Sequence, residues 1–121
     1  MQNNTPEYQK FFSSLAEFKD GQDCPIIQAL VFLQGKWHSR IIFFLLKNDT
    51  LRFGELKKRL PPITNTVLAT SLKELEQREI IARKQFNEVP PHVEYSLTER
   101  GKSLLPVYVE LGKWQQNTQT H

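Results

Sequence analysis

The sequence predicts a mainly α fold carrying one small β-hairpin (an α+β domain), and three observations predict it. Apolar residues recur at helical spacing along most of the chain. One stretch, residues 80–97, switches to the two-residue period of strands. Proline, glycine and Asx residues fall mostly between the periodic segments, where they mark ends and turns.

The first helix is expected from Tyr8, Phe11, Phe12, Leu15 and Phe18, which share one face, and Asp20-Gly21 breaks it. A second starts near Pro25, since proline suits the first helical position, and runs through Leu33 to a stop at Gly35. The third covers residues 36–47. Its run Ile41-Ile42-Phe43-Phe44-Leu45-Leu46 is apolar on nearly every side and belongs in the middle of a domain. Leu51-Arg52-Phe53 reads as a short strand. Gly54 is read as the N-cap of a brief helix, residues 55–60, which Pro61-Pro62 stops. Thr64 caps the next helix, with Ile63 placed to staple onto Leu68. That helix extends to about Arg78 and is expected to bury Val67, Leu68, Leu72 and Leu75. Residues 80–86 and the alternating Val93, Tyr95 and Leu97 form the hairpin, closed by Asn87-Glu88-Val89-Pro90-Pro91. Thr98 caps a last helix, which Pro106 kinks or restarts. Two short consecutive helices followed at once by a hairpin describe a winged helix-turn-helix.

Composition narrows the function. A chain of 121 residues, 39% hydrophobic and 24% charged, fits one globular domain. One cysteine, Cys24, excludes an intramolecular disulfide framework. The longest apolar run, Ile41–Leu46, is far short of a membrane span, and MQNNTPEY has no secretory character, so a cytoplasmic protein is expected. His38, His92 and His121 lack partners at metal-ligand spacing, the five glycines form no phosphate loop, and no nucleophile constellation is visible. No metal, cofactor or catalytic residue is expected, and an enzyme is the weakest reading.

Charge is unevenly placed. The net charge is +3, yet residues 36–84 alone carry +6, between mildly acidic ends. Such a segment suits a polyanion. In a helix-turn-helix the second helix enters the major groove with its N-terminal residues nearest the bases. Here that helix presents Thr64, Asn65, Thr66, Ala69, Thr70 and Lys73 on its non-core side, small or polar first and then basic. Asn, Thr and Lys can hydrogen-bond bases or phosphates. Arg52, Lys57, Lys58, Arg59, Arg83 and Lys84 are the expected backbone contacts around it, and His92 at the hairpin adds a further one. Glu74, Glu76 and Glu79 gather at the far end of the reading helix, where DNA would recede.

From Cys24 to Trp114 the chain resembles the HxlR-type family of winged-helix transcription regulators, related in architecture to MarR-like proteins. The residues that carry the resemblance are Cys24-Pro25, Gly35-Lys36-Trp37, Arg52-Phe53-Gly54-Glu55-Leu56 and Leu72-Lys73-Glu74-Leu75-Glu76. To these is added the long, ordered segment from Val89-Pro90-Pro91-His92 through Val93-Glu94-Tyr95-Ser96-Leu97-Thr98. The resemblance implies a homodimer on double-stranded operator DNA, with the terminal helices making the dimer contact. It also admits Cys24 as a redox sensor, as in some relatives; the plainer reading is a packing cysteine at a helix start. Asn65-Thr66 stand where many relatives carry a basic or glutamine side chain, and Gly54 replaces a common Ser or Asn, so no target sequence carries over. Residues 1–23 lie outside the resemblance.

The expected organisation is an N-terminal helical arm at 1–23, a DNA-binding core at 24–97 and a dimerisation helix at 98–121. Phe11, Phe12 and Leu15 at one end and Leu104, Tyr108, Leu111 and Trp114 at the other are surplus to a winged-helix core and are the expected dimer residues. The function expected is a sequence-specific, homodimeric repressor acting by operator occupancy, with its small-molecule or redox effector unknown. The alternative is a winged-helix module whose basic face binds an acidic protein.

Overall fold

Thr5 opens the first helix. Its side-chain oxygen accepts from the Tyr8 amide at 3.2 Å, and Pro6 takes the first helical position. The computed structural model describes residues 5–18 and 24–119. Helix α1 spans Pro6–Ser14 and passes into a 3₁₀ turn, Leu15–Glu17, so it ends before the expected break, which lies outside the described residues. Helix α2, Pro25–Leu33, starts with Cys24 as N-cap and Pro25 at its first position. Gly35 follows at φ 95°, a left-handed conformation that glycine alone adopts without cost from a side chain.

The chain divides into two units, Met1–Gly35 and Lys36–His121. The boundary expected between residues 23 and 24 borders undescribed residues inside the first of them.

In the second unit, α3 (His38–Lys47) buries Ile41, Ile42 and Leu45, while Phe43 stays exposed beneath the Lys47 ammonium, 5.5 Å from its ring. Strand β1 is only Leu51–Arg52, because Phe53 already belongs to α4, Phe53–Arg59. Gly54 is therefore not the cap. Arg52 holds that place, and the Glu55 carboxylate reaches back to accept its amide at 2.8 Å. A tight turn through a cis Pro61-Pro62 bond follows, closed by the Ile63 amide donating to the Leu60 carbonyl at 2.8 Å. Leu60 and Ile63 flank it and are both buried.

Helix α5 spans Asn65–Gln77, and Thr64 caps it by accepting from the Val67 amide at 3.2 Å. Its buried stripe is Leu68, Ser71, Leu72 and Leu75; Val67, expected inside, is exposed. The stripe begins one residue later because its i, i+3, i+4, i+7 spacing starts from Leu68. Truncating Leu68 or Leu72 to Ala would cost on the order of 2–5 kcal/mol. The helix ends in a Schellman arrangement, with the Ile80 amide on the Leu75 carbonyl and the Glu79 amide on the Glu76 carbonyl, both at 2.9 Å. Glu79 adopts φ 60°, and Ile80 is buried.

Strands β2 (Ile81–Phe86) and β3 (His92–Leu97) form the wing, with Val89-Pro90 cis in the loop between them. β1 joins them as a third, antiparallel strand, in the order β1-β3-β2. Leu51 and Arg83 both pair with Tyr95, while Arg52 and Lys84 both pair with Glu94. Thr98 then caps α6, Glu99–Lys102, and α7 starts afresh at Leu105 with Pro106 second, running to Gln119. Pro106 thus restarts the helix. None of the described helices is long and apolar enough to cross a membrane.

Candidate nucleic-acid interface

α4, its turn and α5 form the helix-turn-helix, and burial fixes which face of α5 looks out. With Leu68, Ser71, Leu72 and Leu75 inside, Asn65, Thr66, Ala69, Thr70 and Lys73 are all exposed. Thr64 is exposed too, but its hydroxyl oxygen is already engaged as the cap. The orientation of α5 is held by more than its apolar face: His38 Nε2 at the start of α3 lies 2.9 Å from Glu74 Oε1. That pairing joins residues 36 positions apart, so no local pattern in the sequence signals it.

The expected backbone contacts fall into two groups. Arg52, Lys57, Lys58, Lys73, Arg83 and Lys84 are exposed, and none of them forms an ion pair among the described residues. The lysine–carboxylate pairs lie elsewhere, Lys102 with Glu99 and Lys113 with Glu110, on α6 and α7. Arg59 bonds the Glu55 carbonyl at 3.0 Å.

Successive strand residues face opposite sides, so Arg83 and Lys84 part company. Arg83 shares the inner face with Tyr95 and Leu51, beside α5. Lys84 shares the outer face with Glu94 and Arg52, its ammonium 4.9 Å from the Phe86 ring centroid.

His92 is differently placed from the rest. Its ring stacks on Phe86 with centroids 4.6 Å apart, and Nε2 lies 3.1 Å from Glu94 Oε2. Glu88 Oε2 is 3.9 Å from Nδ1. The side chain is mostly buried, and these contacts brace the wing.

Of the expected dimer residues, Phe11 and Phe12 on α1 are exposed, Leu15 is half-buried in the 3₁₀ turn, and Leu111 and Trp114 on α7 are exposed. Leu104 and Tyr108 are half-buried, and the Tyr108 hydroxyl donates to the Ser39 carbonyl at 2.7 Å. Cys24 is half-buried at the start of α2. Among the described residues no cluster of three or more His, Cys, Asp or Glu is placed to hold a metal ion.

Known proteins share this arrangement. The family model described as HxlR-like helix-turn-helix matches residues 32–121. A helix-turn-helix-type transcriptional regulator of Halalkalibacterium halodurans is 42% identical over 105 residues, spanning 84% of this chain and 93% of that protein. A MarR-family transcriptional regulator from Porphyromonas gingivalis W83 superposes with a TM-score of 0.72 at 38% identity, covering 81% of this chain and 95% of that one. The reduced form of the regulator YodB from B. subtilis superposes with a TM-score of 0.69 at 39% identity, covering 75% and 89%. An exposed reading helix, a three-stranded wing and these likenesses over most of the chain lead to one assignment: the protein belongs to the HxlR-like helix-turn-helix family and is a transcriptional regulator with a helix-turn-helix DNA-binding domain.

Proposed function

We propose that the protein is a homodimeric repressor that acts by occupying operator DNA. The observation that carries this reading is the set of exposed cationic side chains without acidic partners on β1, α4, α5 and β2. Arg52, Lys57, Lys58, Lys73, Arg83 and Lys84 are held ready for phosphates, whereas lysines on α6 and α7 pair with carboxylates. Asn65, Thr66 and Thr70 then meet base edges from the first two turns of the helix.

The dimer is supported by apolar surface. α7 leaves Leu105, Val107, Val109, Leu111 and Trp114 exposed, and α1 leaves Tyr8, Phe11 and Phe12 exposed. A two-fold assembly removes such surface from water and sets two reading helices on successive major grooves. The operator is then an inverted repeat with half-site centres about 10 bp apart, or a multiple of that.

The test is a mobility-shift titration against the DNA flanking the protein's own gene, repeated across salt concentrations. Counterion release makes affinity fall steeply with salt. Replacing Arg83 or Lys84 weakens specific and non-specific binding alike and makes the salt slope shallower. Binding indifferent to salt between low and physiological concentrations would remove the electrostatic basis of the reading.

A further inference from the structure

Among the described residues, Glu94 sits between two cations and pairs with neither. Register places it opposite Arg52 on β1 and opposite Lys84 on β2, all three on the outer face of the sheet. Cross-strand neighbours of opposite charge ordinarily attract. The Glu94 carboxylate turns instead to His92, with Oε2 3.1 Å from the ring's Nε2. On the other side of the ring, Glu88 Oε2 lies 3.9 Å from Nδ1. The ring is held in place by Phe86, on which it stacks at 4.6 Å and 11°, and only 15% of the His92 side chain is exposed. Lys84 shares the same aromatic, its ammonium 4.9 Å from the Phe86 centroid. Ala82 and Ser96 complete this face, so Arg52, Lys84, Glu88 and Glu94 are the charges that His92 meets from the three strands and the loop.

Carboxylate oxygens only accept hydrogen bonds, and a neutral imidazole carries a single N–H. A ring flanked by a carboxylate at each nitrogen is fully matched only as the imidazolium. Histidine is also the side chain whose charge ordinarily changes between about pH 5 and 8. Around His92 two cations and two carboxylates cancel, so its proton decides the charge of the cluster. That proton decides the partner of Glu94 as well. The imidazolium holds Glu94 and leaves Arg52 and Lys84 to outside anions. A neutral ring holds Glu94 by one hydrogen bond at most and frees it for the cation on either side.

We propose that His92 is a proton-operated switch on the wing, which sets whether Arg52 and Lys84 meet DNA phosphates or Glu94. Resting on the DNA-binding reading above, the switch makes protonation and DNA binding favour each other by the same factor. DNA binding then takes up a proton from the buffer, and affinity falls as pH rises.

The test is a mobility-shift titration of the full-length protein with the DNA flanking its own gene, at about pH 6 and about pH 8 and at fixed ionic strength. Wild type is expected to bind at least about fivefold more weakly at the higher pH. His92→Gln binds equally at both, near the wild type's weaker affinity. His92→Arg keeps its charge at both and binds near the stronger one. Glu94→Gln separates the switch from a mere added charge: with no carboxylate to release, it binds tightly at both. Calorimetry in buffers of different ionisation enthalpy counts the proton, taken up by wild type and not by His92→Gln. Circular dichroism checks that each variant is folded, and His92→Arg carries the comparison alone if His92→Gln is not. Equal wild-type affinity at the two pH values overturns the switch, as does a pH dependence that survives replacement of His92. A dependence undiminished in Glu94→Gln overturns the exchange of partners. No binding at either pH overturns the DNA-binding reading, and the switch falls with it.

Discussion

The Tyr108 hydroxyl donates to the main-chain carbonyl of Ser39 across 2.7 Å, and this bond ties α7 to the first turn of α3. Burial pushes the Tyr108 phenol up to about 12 from its ordinary 10. Tyr108→Phe removes the bond at a cost of about 0.5–1.5 kcal/mol, read from urea unfolding at neutral pH. The gap between the two proteins depends on pH. Above about pH 10 the unfolded chain has released the phenolic proton while the folded chain keeps it. The wild type's advantage is therefore complete below that pH and shrinks as pH rises through 12. A gap that stays constant over that range would show that the phenol does not titrate as its burial requires.

Two backbone positions respond oppositely to small changes. Glu79 sits at φ 60° in the C-terminal cap of α5, where a side chain is penalised. Glu79→Gly should stabilise the protein by about 0.5–1 kcal/mol. At Gly101 an added Cβ would lie 2.2 Å from the Ile80 carbonyl oxygen and 2.9 Å from a Leu97 methyl. Gly101→Ala should cost about 1–3 kcal/mol or more, since backbone must move. Chemical denaturation of the two variants beside wild type checks both signs.

Readout should be confined to the start of α5. Replacing Asn65, Thr66 or Thr70 with Ala is expected to cost on the order of 1–3 kcal/mol at one or two base pairs, with little change in non-specific affinity. In vitro selection on each variant measures this. An unchanged consensus for all three would move base recognition to another element.

Dimerisation should fail when the face of α7 is charged. Leu111→Glu combined with Trp114→Lys alters two exposed side chains, so the core is expected to remain folded while the protein becomes monomeric and binds DNA weakly. Light scattering and circular dichroism report the two properties separately. A wild-type monomer at micromolar concentration that still protects a palindromic site would rule out the dimer.

Much of this architecture is local and was readable along the chain. Pro25, Thr64 and Thr98 begin helices because capping needs only a side chain and an amide within a few residues. The exposed polar stripe of α5 follows from helical period alone. Two local signals pointed to a nearby residue, and the features after them depend on partners distant in sequence, which no local period encodes. Gly54 looked like a cap, but Glu55 selects Arg52 by bonding its amide. Val67 looked buried, but packing seats the helix on the stripe that begins at Leu68. Strand β1 exists because Leu51 finds Tyr95, and the same pairing puts Arg83 beside α5 while Lys84 faces away. His92 read only as a further contact at the hairpin, and the folded wing stacks it on Phe86 beside Glu94. Tyr108, counted as surplus apolar surface, meets Ser39 across 69 residues. Short-range hydrogen bonds and periodicity can be read in order along a chain. Register and side-chain pairing appear only once its distant parts are brought together.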